Sequence, residues 1–77
     1  GMRWLHAGED SMTFLREHPG QTLLVHAVRR PCAPVVLPAH ALGPDARVTT
    51  LVGSPAEVDA GTLTLAGETG VSVHVVG

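Results

Sequence analysis

The segment FLREHPGQTLLVHAVRR, residues 14–30, has the pattern of two β-strands joined by a tight turn. Apolar residues recur at alternate positions on either side of Pro19-Gly20, as in strands, where successive side chains point to opposite faces. Pro19 fixes φ at about −65° and Gly20 accepts a positive φ, which suits the two central positions of a type II turn. Because a type II turn twists against the strands of a two-residue hairpin, we predict a longer loop or a bulge here.

Similar alternation continues along most of the chain. Glycine, proline and acidic residues separate the alternating runs at intervals of roughly 8–12 residues, which is typical of small all-β domains. The sequence therefore predicts one all-β domain over residues 1–77, an antiparallel β-sandwich of six to eight strands, with one short helical turn within residues 39–46. The predicted strands contain residues 12–15, 23–28, 35–37, 47–52, 62–65 and 71–75.

The apolar pattern also predicts which strands are central and which side chains are interior. Residues 23–28 are largely apolar on both faces, which favours a central strand covered on both sides. Pro34 and Pro38 enclose Val35 and Leu37, which favours an edge strand because proline cannot donate a backbone hydrogen bond. The side chains predicted to line the interior are Phe14, Leu23, Val25, Val35, Leu37, Leu63, Leu65, Val73 and Val75.

Composition limits the classes of partner. The chain is 44% hydrophobic and 16% charged, too apolar for a disordered protein. It has five arginines, no lysine and a net charge of −2, so we expect no nucleic-acid partner. No apolar run approaches the roughly 20 residues that span a bilayer, and the start lacks a signal-peptide pattern. We therefore expect no membrane partner and a cytoplasmic location, and we interpret Gly1 before Met2 as a tag remnant.

The histidines and the cysteine predict neither a metal site nor a cofactor. A structural zinc site needs closely spaced His or Cys pairs, and this chain has one cysteine and five scattered histidines. We interpret the histidines as surface or half-buried residues and Cys32 as a buried or loop thiol, since no helix N-terminus is predicted to lower its pKa. Arg29 and Arg30 are interpreted as solvated charges at a strand end. The five histidines are His6, His18, His26, His40 and His74.

The acidic residues do not form a recognisable catalytic set. Glycoside hydrolysis needs two carboxyl groups across a sugar, about 5–5.5 Å or 6.5–9.5 Å apart, in a cleft that raises one pKa. Most carboxylates of this chain stand in or beside predicted turns, where solvation keeps them ordinary. The sequence therefore predicts no catalytic residues and no enzyme activity. The seven acids are Glu9, Asp10, Glu17, Asp45, Glu57, Asp59 and Glu68.

Three segments, in order, resemble the C-terminal β-domain of α-amylase-family glycoside hydrolases (glycoside hydrolase family 13), especially the α-glucosidase and neopullulanase types. They are MRWLHAGEDSMTFLRE (2–17), GQTLLVHAVRRPCAPVVLP (20–38) and VTTLVGSPAEVDAGTLTLAGETGVSVHVV (48–76), and together they cover nearly the whole chain. One departure is His26-Ala27-Val28, where the family usually has an asparagine near the end of the strand.

The resemblance implies a non-catalytic accessory domain of an enzyme acting on α-glucans or α-glucosides, packed against the catalytic (β/α)₈ barrel. Trp4 and Leu5 are the candidate residues for contact with that domain or another partner, and the isolated domain could form a homodimer. The alternative is a stand-alone carbohydrate-binding or protein-interaction module. Sugar binding would need two or three exposed aromatic rings on one face, whereas this chain has only Trp4 and Phe14, and Phe14 is predicted to point inward.

Overall fold

A computed structural model describes all residues 1–77 and contains eight β-strands and one short 3₁₀ helix. Every strand pairing is antiparallel, which confirms the predicted all-β sandwich. The helix, Ala39–Leu42, lies within the predicted helical turn, and no helix is long and apolar enough to cross a bilayer. The strands are β1 (Met2–Ala7), β2 (Ser11–His18), β3 (Gln21–Val28), β4 (Val35–Pro38), β5 (Val48–Val52), β6 (Glu57–Asp59), β7 (Thr62–Leu65) and β8 (Gly70–Val76).

The strands form a five-stranded sheet in the order β1-β2-β3-β8-β5 and a three-stranded sheet in the order β4-β7-β6. Strand β3 is the middle strand of the large sheet and β4 is an edge strand of the small one, as the sequence predicted for both positions. The two sheets pack face to face over a single apolar cluster, to which the short helix contributes one leucine. The buried members of this cluster are Leu15, Leu24, Val35, Leu42, Leu63 and Leu65.

The β2–β3 hairpin is tighter than predicted. His18 pairs directly with Gln21, so the loop consists of Pro19 and Gly20 alone, and Gly20 adopts φ of 81°. The pairing runs without a shift through eight residue pairs, so the predicted longer loop or bulge is wrong. Register along eight pairs is fixed by which side chains face the core, and this outweighs the twist preference of the turn.

The predicted interior is right for the small sheet and wrong for the large sheet. Val35, Leu63 and Leu65 are buried, and Leu37 packs against the core cluster. In the large sheet the buried apolar residues are Leu15, Leu24 and Val28, which alternate along β2 and β3 with the residues that were predicted to be interior. The five residues that were predicted to be interior lie half-buried on the opposite face of this sheet: Phe14, Leu23, Val25, Val73 and Val75.

The reason is that the small sheet covers only one face of the large sheet, so β3 is not covered on both sides as predicted. The covered face carries polar side chains beside its leucines, and these are buried because they find hydrogen-bond partners inside the sandwich. Alternation fixes which residues share a face, but it does not decide which face a neighbouring sheet covers. The buried polar residues are Ser11, Thr13, His26, Ser72 and His74.

Candidate docking surface and buried histidine network

The uncovered face of the large sheet is lined with apolar side chains in register. One row crosses all five strands, with one residue from each. A second row, on one side of the first, contains Met12. A third row, on the other side, contains Arg16, the only charged residue of this surface. We call this surface the outer face; its rows are Trp4-Phe14-Val25-Val73-Val52, Ala7-Met12-Ala27-Val71 and Met2-Arg16-Leu23-Val75-Thr49.

Trp4 and Phe14 form the most prominent feature of the outer face. Their rings are 5.2 Å apart between centroids and inclined at 57°, a tilted arrangement within the favourable range for aromatic pairs. Trp4 remains 53% exposed, and Met2, Met12, Val52 and Val71 are exposed to a similar degree. Large apolar side chains thus remain in contact with solvent over the whole width of the sheet.

Only one of the two predicted contact residues lies on this surface. The pairing of β1 with β2 shifts between Trp4 and His6, which makes Leu5 the extra residue of a β-bulge. Leu5 is half-buried and packs against the core cluster, so Trp4 is brought together with Phe14 and not with Leu5. Sequence reasoning placed Phe14 in the interior; the signal that would have placed it correctly is its pairing with Trp4 in the β1–β2 hairpin.

The opposite, inner face of the large sheet holds a polar network around two histidines, with Thr13, His26 and Ser72 in one cross-strand row. The Nδ1 atom of His26 lies 2.9 Å from Oγ1 of Thr13, and its Nε2 atom lies 2.9 Å from the carbonyl oxygen of Ala66. A carbonyl oxygen can only accept, so Nε2 of His26 carries a hydrogen and donates it to Ala66. In the neutral ring the Thr13 hydroxyl then donates to Nδ1, and the two bonds together fix the tautomer with its hydrogen on Nε2.

His74 is held in the same way on the neighbouring strand. Its Nδ1 atom lies 2.8 Å from Oγ1 of Thr50, which stands opposite it on β5, and its Nε2 atom lies 3.0 Å from Oγ of Ser72. The Ser72 hydroxyl donates to the carbonyl oxygen of His26 at 3.5 Å and therefore accepts from His74. No buried side-chain nitrogen or oxygen atom in the chain lacks a partner.

The network favours an uncharged His74. Burial lowers the pKa of His74 below its usual 6.5, and the positive charge that His26 would carry lowers it further. His26 is 3% exposed and His74 is fully buried, so the prediction that the histidines are surface or half-buried residues is wrong for these two. The clue in the sequence was a threonine opposite each of them, at positions 13 and 50, which became informative only once the register was known.

The remaining ionisable residues are dispersed. Arg29 and Arg30, at the end of β3, both approach Oδ1 of Asp10, at 3.1 and 3.4 Å. Both arginine side chains are largely exposed, so these pairs stabilise the fold by about 1 kcal/mol or less. Cys32 and His6 border an open groove of about 400 Å³, and no three metal-ligating side chains converge anywhere in the chain.

Comparisons of the chain with protein-family models, with curated proteins and with solved structures gave no match. The resemblance to amylase-family domains therefore stays a prediction from the sequence. The structure adds the contrast between a polar inner face, whose buried side chains are hydrogen-bonded to one another, and an apolar outer face exposed to solvent.

Proposed function

We propose that this chain is a non-catalytic interaction module that packs against another protein through the outer face of its large sheet. The observation that carries the proposal is the unbroken apolar row from Trp4 to Val52, flanked by two rows with a single charge. Antiparallel sheets normally pair one apolar face with one polar, solvated face. In this sheet the more polar face is buried, so the apolar face needs a cover from outside the domain, and contiguous exposed patches of this kind mark interaction sites.

The chemistry of the outer face suits a protein surface better than a sugar. The Trp4–Phe14 pair does favour carbohydrate binding as a second candidate, because aromatic rings can stack on pyranose rings. A sugar also presents hydroxyl groups that need hydrogen-bond partners, and burying them without partners is costly. Around the two rings, Met2, Met12 and Val25 offer no strong donor or acceptor. Arg16, the one charged neighbour, offers donors but no acceptor for the hydroxyl hydrogens of a sugar.

The partner suggested by the sequence resemblance is the catalytic (β/α)₈ barrel of an α-amylase-family glycoside hydrolase acting on α-glucans or α-glucosides. In that proposal the chain is the accessory C-terminal β-domain, its outer face lies against the apolar part of the barrel surface, and the location is cytoplasmic. Burying the rows of valine, leucine and aromatic side chains would supply the binding free energy, at about 25 cal/mol per Å² of apolar surface before the costs of association.

The test compares two valine-to-aspartate variants. Val25 is the centre of the outer face, whereas Val36 lies on the edge strand β4 and is exposed. The barrel encoded in the same or the adjacent reading frame is produced separately, and binding is measured by isothermal titration calorimetry. We expect Val25→Asp to abolish binding and Val36→Asp to leave it unchanged. Equal binding by both variants would overturn the docking proposal, and the lack of any encoded barrel would overturn the glycoside hydrolase partner.

The proposed non-catalytic role is tested on the same purified chain. We expect no turnover of maltooligosaccharides or aryl α-glucosides, because catalysis needs two carboxylates in a cleft that tunes their pKa values. The control is the double variant Glu57→Ala/Asp59→Ala, which removes two acids of the β6 hairpin. Turnover by the natural chain that disappears in this variant would show that the chain is an enzyme.

A further inference from the structure

We infer that in the isolated chain the outer face binds a second copy of itself, sheet against sheet, about a two-fold axis that lies in the interface parallel to the strands. The inference rests on the docking face proposed above and names its occupant when no other partner is present. Two properties of the outer face support it, a gradient of side-chain size and a near absence of charge, and the area of the face limits how tightly the two copies can bind.

In the central row of the outer face, and in the row that contains Arg16, the side chains decrease in size from one edge of the sheet to the other. The row that begins at Ala7 does not follow this gradient. The half formed by β1 and β2 carries Trp4 and Phe14 in the central row, with Met2 and Met12 in the flanking rows. The half formed by β8 and β5 has only valine and threonine in the same three rows. One half of the surface is therefore high and the other half low, with Val25 of the middle strand between them.

A two-fold axis parallel to β3 places the high half of each copy over the low half of the other. Phe14 then faces Val73 of the second copy, Trp4 faces Val52, and Val25 faces its own equivalent. Such an interface is isologous and closed, so it stops at a dimer. The strands of the two sheets run nearly parallel to one another, as in the aligned packing of β-sandwiches.

An axis perpendicular to the strands gives a poorer fit. It would place Trp4 of one copy over Trp4 of the other, and Phe14 over Phe14. The large rings would then separate the two sheets, and the low halves would not touch. Valines on β8 and β5 would then face a gap and lose the van der Waals contacts that closely packed interfaces provide. The size gradient thus selects one symmetry over the other.

Charge is compatible with self-association, and area limits its strength. Arg16 is the only charged residue of the face, is exposed, and lies in a flanking row, where its guanidinium group can extend to solvent. Five strands at about 4.8 Å spacing and three rows about 6.6 Å apart give a footprint of roughly 19 by 13 Å before side-chain widths are added. This is below the roughly 800 Å² per partner of standard interfaces, so we expect a weak dimer with a dissociation constant between about 1 μM and about 1 mM.

The first experiment measures association between about 1 μM and 1 mM by sedimentation equilibrium, a range that spans the affinities of weak complexes. Trp4, the only tryptophan, reports whether the interface is the predicted one, since its fluorescence emission shifts to shorter wavelength when the dimer covers it. We expect Val25→Asp to weaken association at least tenfold and Val36→Asp to leave it unchanged. Far-UV circular dichroism of both variants verifies that they are folded.

The second experiment tests the symmetry. We expect Val73→Phe to weaken the dimer because it adds volume opposite Phe14, and Phe14→Val to weaken it by leaving a gap. Exchanging the two residues in the double variant Phe14→Val/Val73→Phe reverses the gradient and restores association. Stronger association of Val73→Phe alone would overturn the proposed axis, because the perpendicular arrangement has space at that position.

A chain that stays monomeric at 1 mM would overturn the self-association inference, and the proposed docking function is then judged by a separate readout. That readout is the binding of the apolar dye 1-anilinonaphthalene-8-sulfonate to the folded monomer. Dye binding that is lost in Val25→Asp and kept in Val36→Asp supports the docking face without a dimer. Equal dye binding by the two variants would overturn both proposals.

Discussion

The two faces of the large sheet reverse the usual distribution of polarity. The inner face buries His26 and His74 with hydroxyl groups on either side, whereas the outer face leaves Trp4 and Val52 in contact with solvent. The difference shows that apolar character alone did not determine which face the small sheet covers. On the inner face every buried side-chain nitrogen and oxygen atom has a hydrogen-bond partner, whereas the outer face has no cover within the domain.

The strongest test of this comparison uses two adjacent leucines of β3. Leu24 is fully buried on the inner face, and Leu23 is half-buried on the outer face. We expect Leu24→Ala to lower the free energy of unfolding by roughly 2–5 kcal/mol, and Leu23→Ala by less than half as much, because only the first leaves an internal cavity. Urea denaturation monitored by circular dichroism measures both. A larger loss for Leu23→Ala would mean that the two faces are assigned the wrong way round.

A second test removes one hydrogen bond of the inner face at nearly constant shape. Thr13→Val leaves Nδ1 of His26 without its donor in a site from which water is excluded, so we expect a loss of roughly 1–3 kcal/mol in the free energy of unfolding. The matched control is Thr49→Val on the exposed part of β5, for which we expect a change within about 0.5 kcal/mol.

The double variant Thr13→Val/His26→Leu sharpens the same test. Removing both side chains leaves neither Oγ1 of Thr13 nor Nδ1 of His26 buried without a partner. The carbonyl oxygen of Ala66 does lose its donor, Nε2 of His26. We therefore expect the double variant to lose less stability than the sum of the two single variants. Simple additivity in the same urea titrations would show that the two side chains are not coupled.

A third test uses the pH dependence of stability. Because burial and the neighbouring His26 lower the pKa of His74, the unfolded chain takes up a proton at a higher pH than the folded chain. The free energy of unfolding should therefore hold its full value above pH 6.5 and fall as the pH decreases below it, through the lowered pKa of the folded state. Urea titrations from pH 8 to pH 5 measure this slope, which we expect to be smaller in His74→Gln and unchanged in His18→Gln, where the histidine is exposed. An unaltered slope in His74→Gln would contradict a neutral buried His74.

The smallest expected effect concerns a polar substitution on the outer face. Val71 is 56% exposed, and threonine has nearly the same shape and a similar preference for strands. We expect Val71→Thr to change the free energy of unfolding of the dilute monomer by less than about 0.5 kcal/mol. Thermal and urea unfolding at low concentration measure the effect. A loss above 1 kcal/mol would indicate that this part of the outer face is buried within the domain itself.

Much of the fold could be predicted from local signals, because they act over a few residues. Alternation located the β2 and β3 strands, two prolines marked β4 as an edge strand, and the position of the helical turn after Pro38 was also correct. The core of the small sheet could be predicted because Leu63 and Leu65 alternate with threonines on the other face. The loop after His18 could not, since the register of a whole hairpin outweighs the preference of its two turn residues.

The outer face was harder to predict because the residues that form it are brought together by pairing between strands far apart in the sequence. Phe14 and Val25 share a face with Val73 only because β8 lies beside β3, and residues 25 and 73 are far apart in the chain. The usual rule that the more apolar face is interior then gave the wrong answer for the large sheet. A pattern of hydrogen-bonding residues on three strands, Thr13, His26 and Ser72, was the compensating signal. It cannot be recognised before the strand order is known.

The position of β8 has a consequence for how the chain acquires its structure during synthesis. This strand lies between β3 and β5, so neither of its neighbours completes its hydrogen bonding until residues 70–76 have been made. The earlier hairpins, β1–β2 and β2–β3, can form locally, but β5 has no other partner in its sheet. Assembly of the large sheet is therefore a late, non-local event, and folds dominated by such contacts assemble in milliseconds to seconds instead of microseconds. Until that last strand is in place, the incomplete sheet exposes the free edges of β3 and β5 together with its outer face, and the nascent chain is then most prone to association with other chains.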